Sequence, residues 1–374
     1  MASLAWARRG ETEQDRRLAP PLVEALAASR LCRLLLPGSL EGAGVTPPAF
    51  LDVLAILSAS EASLSWMVWN NALPCLLARY LQRSARAEIF ADPGWLYASS
   101  TRPSGRAVRE EHGYRVSGRW ALVSGCEHAE WIAFLLIVEE GGETSMLTPE
   151  VPEMRMAFLR RGAYEIEDTW HTGGLRGTGS HHVRVTGQLV PERFTFSLAD
   201  PPGDAHPLER LPVFCNMSAG FAAQMLGIAG MARETLVTLA RTKTTGSRMP
   251  DLRDRSAAQS FAAAQSAAGE AARSYLYAST EQVWEDAVAG RTGDPAHVAA
   301  LFAAAQHAIA IARDTVDGAF ALVGTAALYV DNPLERAHRD MHAMLRHILA
   351  QPSWLEQAGR LEFGLEITEP MFFV

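Results

Sequence analysis

The sequence predicts an α+β fold in three successive parts: helical, then β, then helical again. Three observations carry this. Residues 13–91 repeat their apolar side chains at helical spacing. From Trp95 to Val190 the chain breaks into short β-branched and aromatic runs punctuated by Gly and Pro. After Pro212 the helical period returns in four long, alanine-rich segments. The expected parts are an N-terminal α-helical domain over 1–92, a middle antiparallel sheet or barrel over 93–207, and a C-terminal four-helix bundle over 208–374. A chain of 374 residues is long for a single core.

In the first part, Leu18, Leu22, Val23 and Leu26 form one stripe, and Phe50, Val53, Leu54 and Leu57 form another. The loop LLLPGSLEGAGVTPP separates them, with Thr46 placed to cap a helix that Pro47 and Pro48 open. Ala59–Tyr80 reads as a third helix, apolar on most faces and therefore buried, carrying Trp66, Trp69, Asn70 and Asn71. An asparagine pair there either sits at a wet helix end or needs partners or a ligand, because unpaired burial costs about 1–3 kcal/mol. The two tryptophans read equally well as core packing or as pocket walls.

The expected strands are Trp95–Ser100, Gly113–Ser124, Trp131–Val138, Ser145–Leu147, Met154–Leu159, Tyr164–Thr169 and His182–Val190. Within Trp170–Phe194 four glycines (173, 174, 177 and 179) precede the alternation Val183, Val185. Glycine admits close approach of backbone or ligand. The stretch matches neither phosphate-cradling motif, and reads as a strand–turn–strand corner or a ligand loop. His181 and His182 adjoin on a strand and so point to opposite faces, against a shared metal. Ala199–Pro212, with its prolines at 201, 202, 207 and 212, is a boundary linker. The bundle helices are expected at Phe214–Thr242, Leu252–Ala289, Ala296–Leu322 and Leu334–Ala350, separated by TTGSRMPD, AGRTGDP and VDNP.

A formal charge of −8 with scattered Lys and Arg argues against a nucleic-acid partner. The cysteines at 32, 75, 126 and 215 make no CxxC pair, which suggests a reducing compartment and no structural zinc. The polar N-terminus has no signal-peptide core, and no apolar stretch of about 20 residues is free of charge, Gly or Pro. The expectation is a cytoplasmic protein with no membrane span and no metal constellation.

Four segments then carry a resemblance. Gly118–Cys126 (GRWALVSGC) followed by His128, Ala129 and Trp131 is one. Trp170 with Gly174–Ser180 (GLRGTGS) and Val190-Pro191 is the second. Pro333-Leu334-Glu335-Arg336 with Arg339-Asp340 is the third, and Gly359-Arg360 with Gly364 the fourth. Together, in register over nearly the whole chain, they resemble the acyl-CoA dehydrogenase superfamily, most of all its two-component flavin monooxygenase branch.

The resemblance implies FMN or FAD held between the β part and the bundle, usually in a homotetramer. It implies a reduced flavin delivered by a separate NAD(P)H:flavin reductase, O2, and a small aromatic, heteroaromatic or amine substrate oxidised by a flavin hydroperoxide. Ser124 falls where that family places a hydroxyl by the flavin ring, where a donor stabilises the developing charge. Thr101 falls at a flavin-contacting position, although TRPSG departs from the dehydrogenases' pattern. Arg241 resembles an arginine reaching a neighbouring subunit's flavin phosphate, and Gly324-Thr325 the glycine turn near the cofactor. Trp66, Asn70 and Asn71 are candidate substrate contacts.

The dehydrogenases carry a glutamate base soon after the Arg-Asp pair; here Met341–Gln351 (MHAMLRHILAQ) has no carboxylate but has His342 and His347. His347 stands next to the base position, and a histidine near its ordinary pKa suits acid–base work; capping a helix end is the plainer reading. A glutamate from another helix (Glu234, Glu270 or Glu281) would instead favour an FAD-bound acyl-CoA or acyl-carrier dehydrogenase or oxidase. A non-catalytic flavin- or ligand-binding member is the remaining alternative.

Overall fold

The computed structural model describes residues 1–203, 206–242, 244 and 250–369. Its helical first part runs α1 (Ala2–Asp15), α2 (Pro20–Ser29), α3 (Pro47–Ser60), α4 (Ala62–Leu77) and α5 (Arg83–Ile89). The helix α1 was not expected. Its sequence is polar, and tertiary ion pairs hold it: Glu13 to Arg339 at 2.8 Å and Arg16 to Asp168 at 2.7 Å. Thr46 sits at the N-cap of α3 but its side chain accepts nothing; Pro47 at the first helical position sets the start. The single helix expected over Ala59–Tyr80 is broken at Glu61, whose extended backbone (φ −158°) ends α3 and whose carboxylate caps α4 by accepting from Ser63 N–H at 3.1 Å. Every residue of α4 is buried.

The β part runs β1 (Leu96–Glu110), β2 (Gly113–Val123), β3 (Ala129–Glu140), β4 (Glu143–Thr144), β5 (Met146–Thr148), β6 (Val151–Pro152), β7 (Met154–Arg160), β8 (Glu165–Glu167), β9 (His181–Pro191) and β10 (Thr195–Ser197). The main sheet has the order β10-β7-β3-β1-β2-β9-β8, with β4 on β3; β5 and β6 pair separately. The all-antiparallel expectation is corrected at the centre, where β1 and β3 run parallel. After the β1–β2 hairpin the chain crosses back through Ser124–His128 to lay β3 on the other edge of β1. That crossover passes tightly under α4: a Cβ on Gly125 would stand 2.3 Å from the Met67 methyl. In the hairpin, Gly105 and Gly118 face each other and leave the slot that the fully buried Trp120 ring fills.

Two irregularities shape the sheet end beside α4. Against β3, β1 pairs at Ser100 and again at Gly105 while β3 advances only from Phe134 to Leu136, so residues 101–104 loop out. Against β9, β2 carries one extra residue between Trp120 and Val123, and Leu122 there has φ 61°, a left-handed conformation costly for a branched side chain.

The last part runs α6 (Val213–Thr242), α7 (Ser256–Val288), α8 (Pro295–Val323), α9 (Pro333–Met344) and α10 (Ser353–Glu362). The first three match the expected bundle helices closely. The fourth ends at Met344 instead of Ala350, because His347 is extended and caps a short 3₁₀ turn over Ile348–Ala350; α10 packs on α8 as an additional helix. The expected break TTGSRMPD lies largely outside the described residues. Two helices, Val213–Thr242 and Pro295–Leu328, are long and apolar enough to cross a membrane; both pack in the bundle with more than half of their apolar windows buried.

Candidate active site

The crossover between β2 and β3, the looped segment of β1, the glycine corner and the end of α9 enclose a cavity of about 960 Å³ against α4 and α6. That is the upper end of the range for ligand and cofactor pockets. Its inner wall is aromatic. The His347 ring meets Trp66 and Trp69 edge-on at 5.4 and 5.5 Å and stacks on Phe221 at 5.2 Å, 25° between planes.

His347 Nδ1 accepts from Leu349 N–H at 3.3 Å. That bond puts the ring proton of the neutral form on Nε2, as a donor. Burial, with Arg102 nearby, pulls the His347 pKa down to about 4. The ring is therefore neutral at pH 7. The acid–base expectation narrows accordingly: the lone pair is committed to the backbone, and Nε2–H is what His347 offers.

Ser124 lies on the crossover, and its hydroxyl is part of a directed chain. Thr178 Oγ1 donates to Leu175 O at 2.8 Å, so it accepts from Ser180 Oγ at 2.7 Å. Ser180 then accepts from Ser124 Oγ at 2.7 Å. Ser124 in turn accepts from Trp66 Nε1–H at 3.0 Å. With its one proton committed, Ser124 presents a lone pair to the cavity, not the donor the resemblance implied.

The two asparagines separate. Asn70 lines the cavity and donates to Ser124 O at 3.0 Å, which fixes the crossover. Asn71 does not line it: its amide donates to Met67 O at 2.8 Å and accepts from Tyr97 N–H at 2.6 Å, so its expected substrate contact is corrected to a structural one. Adjacent helical positions point about 100° apart, which sequence alone could not orient. Thr101 is on the wall beside Ser99 and Ser100, and none of these three hydroxyls has a side-chain partner among the described residues. Arg241, Gly324 and Thr325 are off the cavity, Arg241 being exposed at the end of α6.

The glycine corner forms the wall facing α9. Gly174 tolerates no side chain, since a Cβ would stand 2.3 Å from Arg339 O. Leu175 N–H donates to the buried Asp340 at 2.6 Å. Arg176 donates to Glu13 O of α1 at 3.0 Å.

Several wall residues escaped the sequence reading. Leu122 reaches the cavity through its bulge, and Arg102 and Arg346 stand at the rim, with no carboxylate partner among the described residues. Unpaired arginines leave no local signal when the partner is a ligand. Among the described residues no Asp or Glu lines the cavity. Beside the wall, Asp317, His338 and His342 bring three ligating atoms within 4.8 Å of one another. The sequence reading found no such constellation because Asp317 lies on a different helix.

The residues present fit a flavin. The cavity admits a planar tricycle between aromatic walls, the free hydroxyls and the Ser124 lone pair supply polar contacts, and the rim arginines supply positive charge for a phosphate or another anion.

Comparison with known proteins agrees with this geometry. Residues 219–352 match the family described as "Acyl-CoA dehydrogenase, C-terminal domain". The chain is 30% identical over 369 residues to the indole-3-acetate monooxygenase of Pseudomonas putida, covering 96% of this chain and 90% of that one. It is 28% identical to the flavin-dependent monooxygenase oxygenase subunit HsaA of Rhodococcus jostii, covering 97% and 96%. Among solved structures it superposes on XiaF from Streptomyces sp., in complex with FADH2 and glycerol, with TM-score 0.90 and 26% identity over 99% of this chain and 94% of that one.

Proposed function

The chain belongs to the flavin-dependent monooxygenases built on the acyl-CoA dehydrogenase fold, and from that premise we propose that it is the oxygenase component of a two-component system acting on a planar aromatic acid. The observation that carries the reaction type is the cavity wall, which holds His347 and, among the described residues, no carboxylate. A dehydrogenase base is missing there, and Glu234, Glu270 and Glu281 are exposed on bundle helices away from the cavity.

Reduced FMN or FAD, when bound, supplies the electrons that split O2, one atom going to the substrate and the other to water. The chain's own residues provide the setting. Ser124 offers an acceptor, which suits the ring N–H that a reduced flavin has and an oxidised one lacks. His347 holds a proton at Nε2 and can donate it in a hydrogen bond to an acceptor atom, such as a hydroxyl oxygen, on the substrate side. Trp66 and Trp69 supply flat apolar surface and exclude water, and Asn70 holds the crossover in place.

The substrate class rests on Arg102 and Arg346. Guanidinium groups at the rim of an aromatic cavity suit a ring bearing a carboxylate, the chemistry in the name of the P. putida relative. A separate NAD(P)H:flavin reductase fits a sequence with no G-x-G-x-x-G opening a helix. A homotetramer would give Arg241, Gly324 and Thr325, which lie off this chain's cavity, a place at a neighbour's flavin. The four buried free cysteines are in keeping with a reducing cytoplasm.

The test is the Arg102→Gln/Arg346→Gln variant. The expected result is a KM for indole-3-acetate raised roughly tenfold or more, with indole turnover and reduced-flavin affinity unchanged. Weaker flavin binding with an unchanged acid preference would assign the arginines to the flavin phosphate and overturn the aromatic-acid reading.

A further inference from the structure

His338 and His342 are one helical turn apart on α9, so both rings stand on the same face of the helix. Opposite them, α8 supplies Asp317. His342 Nε2 lies 2.8 Å and His338 Nε2 3.5 Å from the same carboxylate oxygen, and the two ring centroids are 4.4 Å apart. Phe320 stacks on His338 at 4.4 Å and fixes its plane. All three residues are half-buried, and both histidines line the cavity.

We propose that Asp317, His338 and His342 form a binding site for a divalent transition metal of the Zn2+, Co2+ or Fe2+ type. Two imidazoles and one carboxylate are the donor set for such ions, and exclude Ca2+ and Mg2+, which take oxygen shells. Two features separate the cluster from an ordinary His–Asp pair. Both inward ring atoms are Nε2, aimed at one oxygen, although one oxygen does not need two imidazole donors. The ligating atoms also already lie within 4.8 Å of one another, and side-chain rotations of about an ångström would bring them to the about 3.4 Å spacing that bonds of about 2.0–2.1 Å impose around one tetrahedral ion. Three protein ligands leave at least one coordination position, and the histidines' place on the wall turns it towards the cavity. The site shares the cavity with Ser124 and His347 but uses neither as a ligand, and a bound ion would add positive charge beside the rim arginines.

The test uses the full chain, stripped with a chelator and titrated with Co2+ alone, then with Zn2+. The expected result is one equivalent of Co2+ with a visible ligand-field spectrum, displaced by Zn2+. Affinity should fall by roughly two orders of magnitude in His338→Ala/His342→Ala and less in Asp317→Asn. Because His338 also packs on Phe320, X-ray absorption at the zinc edge of the unaltered protein serves as a second measurement, expected to show two imidazoles. Substoichiometric binding at micromolar metal, unchanged affinity in the double variant, or a shell of oxygens alone would overturn the proposal.

Discussion

His347 uses its two ring nitrogens for different purposes. Nδ1 accepts the Leu349 N–H and starts the 3₁₀ turn, and Nε2–H is left to the cavity. The ring caps the start of that turn and not the last turn of α9, as the plainer reading had it, and its second nitrogen stays available for the role proposed above. Asparagine is a good N-cap, so His347→Asn should keep the turn and flavin binding but lower product formation by about 10²-fold or more, the range of a lost proton-handling group. Single-turnover assays beside flavin titration check this. The same ring sets a pH dependence. Its folded pKa, about 4, lies below the ordinary value, so the unfolded chain binds the proton first as pH falls. The ring's contribution to stability should be lost between pH 6.5 and 4, so over that window the wild type should lose stability relative to His347→Asn, measured by denaturant unfolding of both; His128, also lowered to about 4, and the buried Asp340, raised to about 7 and acting in the opposite direction, contribute to both proteins alike. Ser124 shows a related entanglement. Its removal leaves Trp66 Nε1–H and the Ser180 hydroxyl short of a partner, so Ser124→Ala should cost about 1–3 kcal/mol of stability in addition to any effect on turnover.

At the scale of elements, the glycine corner illustrates what local sequence can and cannot tell. Its density of glycines announced close approach, but not what approaches: the carbonyl of Arg339 over Gly174, and Thr12 of α1 over Gly177. Gly174→Ala should destabilise by about 1–3 kcal/mol, the cost of forcing two packed segments apart, and should loosen the cavity wall; thermal unfolding and reduced-flavin affinity measure the two effects. Helices with strong periodicity, such as α6 and α8, were legible to within a residue or so. Elements set by distant partners were not. The polar α1 depends on Arg339 and Asp168, the α3–α4 break depends on buried Glu61 reaching Arg336 at 3.1 Å, and the parallel β1–β3 pair depends on a crossover that no strand pattern encodes. A bulge hid one wall residue for the same reason, since Leu122 reaches the cavity where the β2–β9 pairing slips; Thr101, in the segment looped out of β1, was named only through the family resemblance.

At the scale of the whole molecule, helix, sheet and bundle meet at one place, and each supplies part of the wall. The sheet brings the hydroxyls of Ser99, Ser100, Thr101 and Ser124, α4 brings Trp66, Trp69 and Asn70, and the segment after α9 brings His347 and Arg346. The residues quoted for the family resemblance pointed to this junction, because motif residues were spread over all three parts. The missing pieces, the rim arginines and the Asp317 cluster, depend on which helix faces which. The proposed function requires this junction to transfer an oxygen atom from O2 to a substrate at the expense of a reduced flavin. The direct measurement is to mix pre-reduced flavin, protein and indole-3-acetate under 18O2, without a reductase or nicotinamide, and to weigh the product. One 18O atom is expected in the oxidised product; reoxidation of the flavin with stoichiometric release of hydrogen peroxide, and no label in any organic product from this or other aromatic acids, would contradict the proposed function.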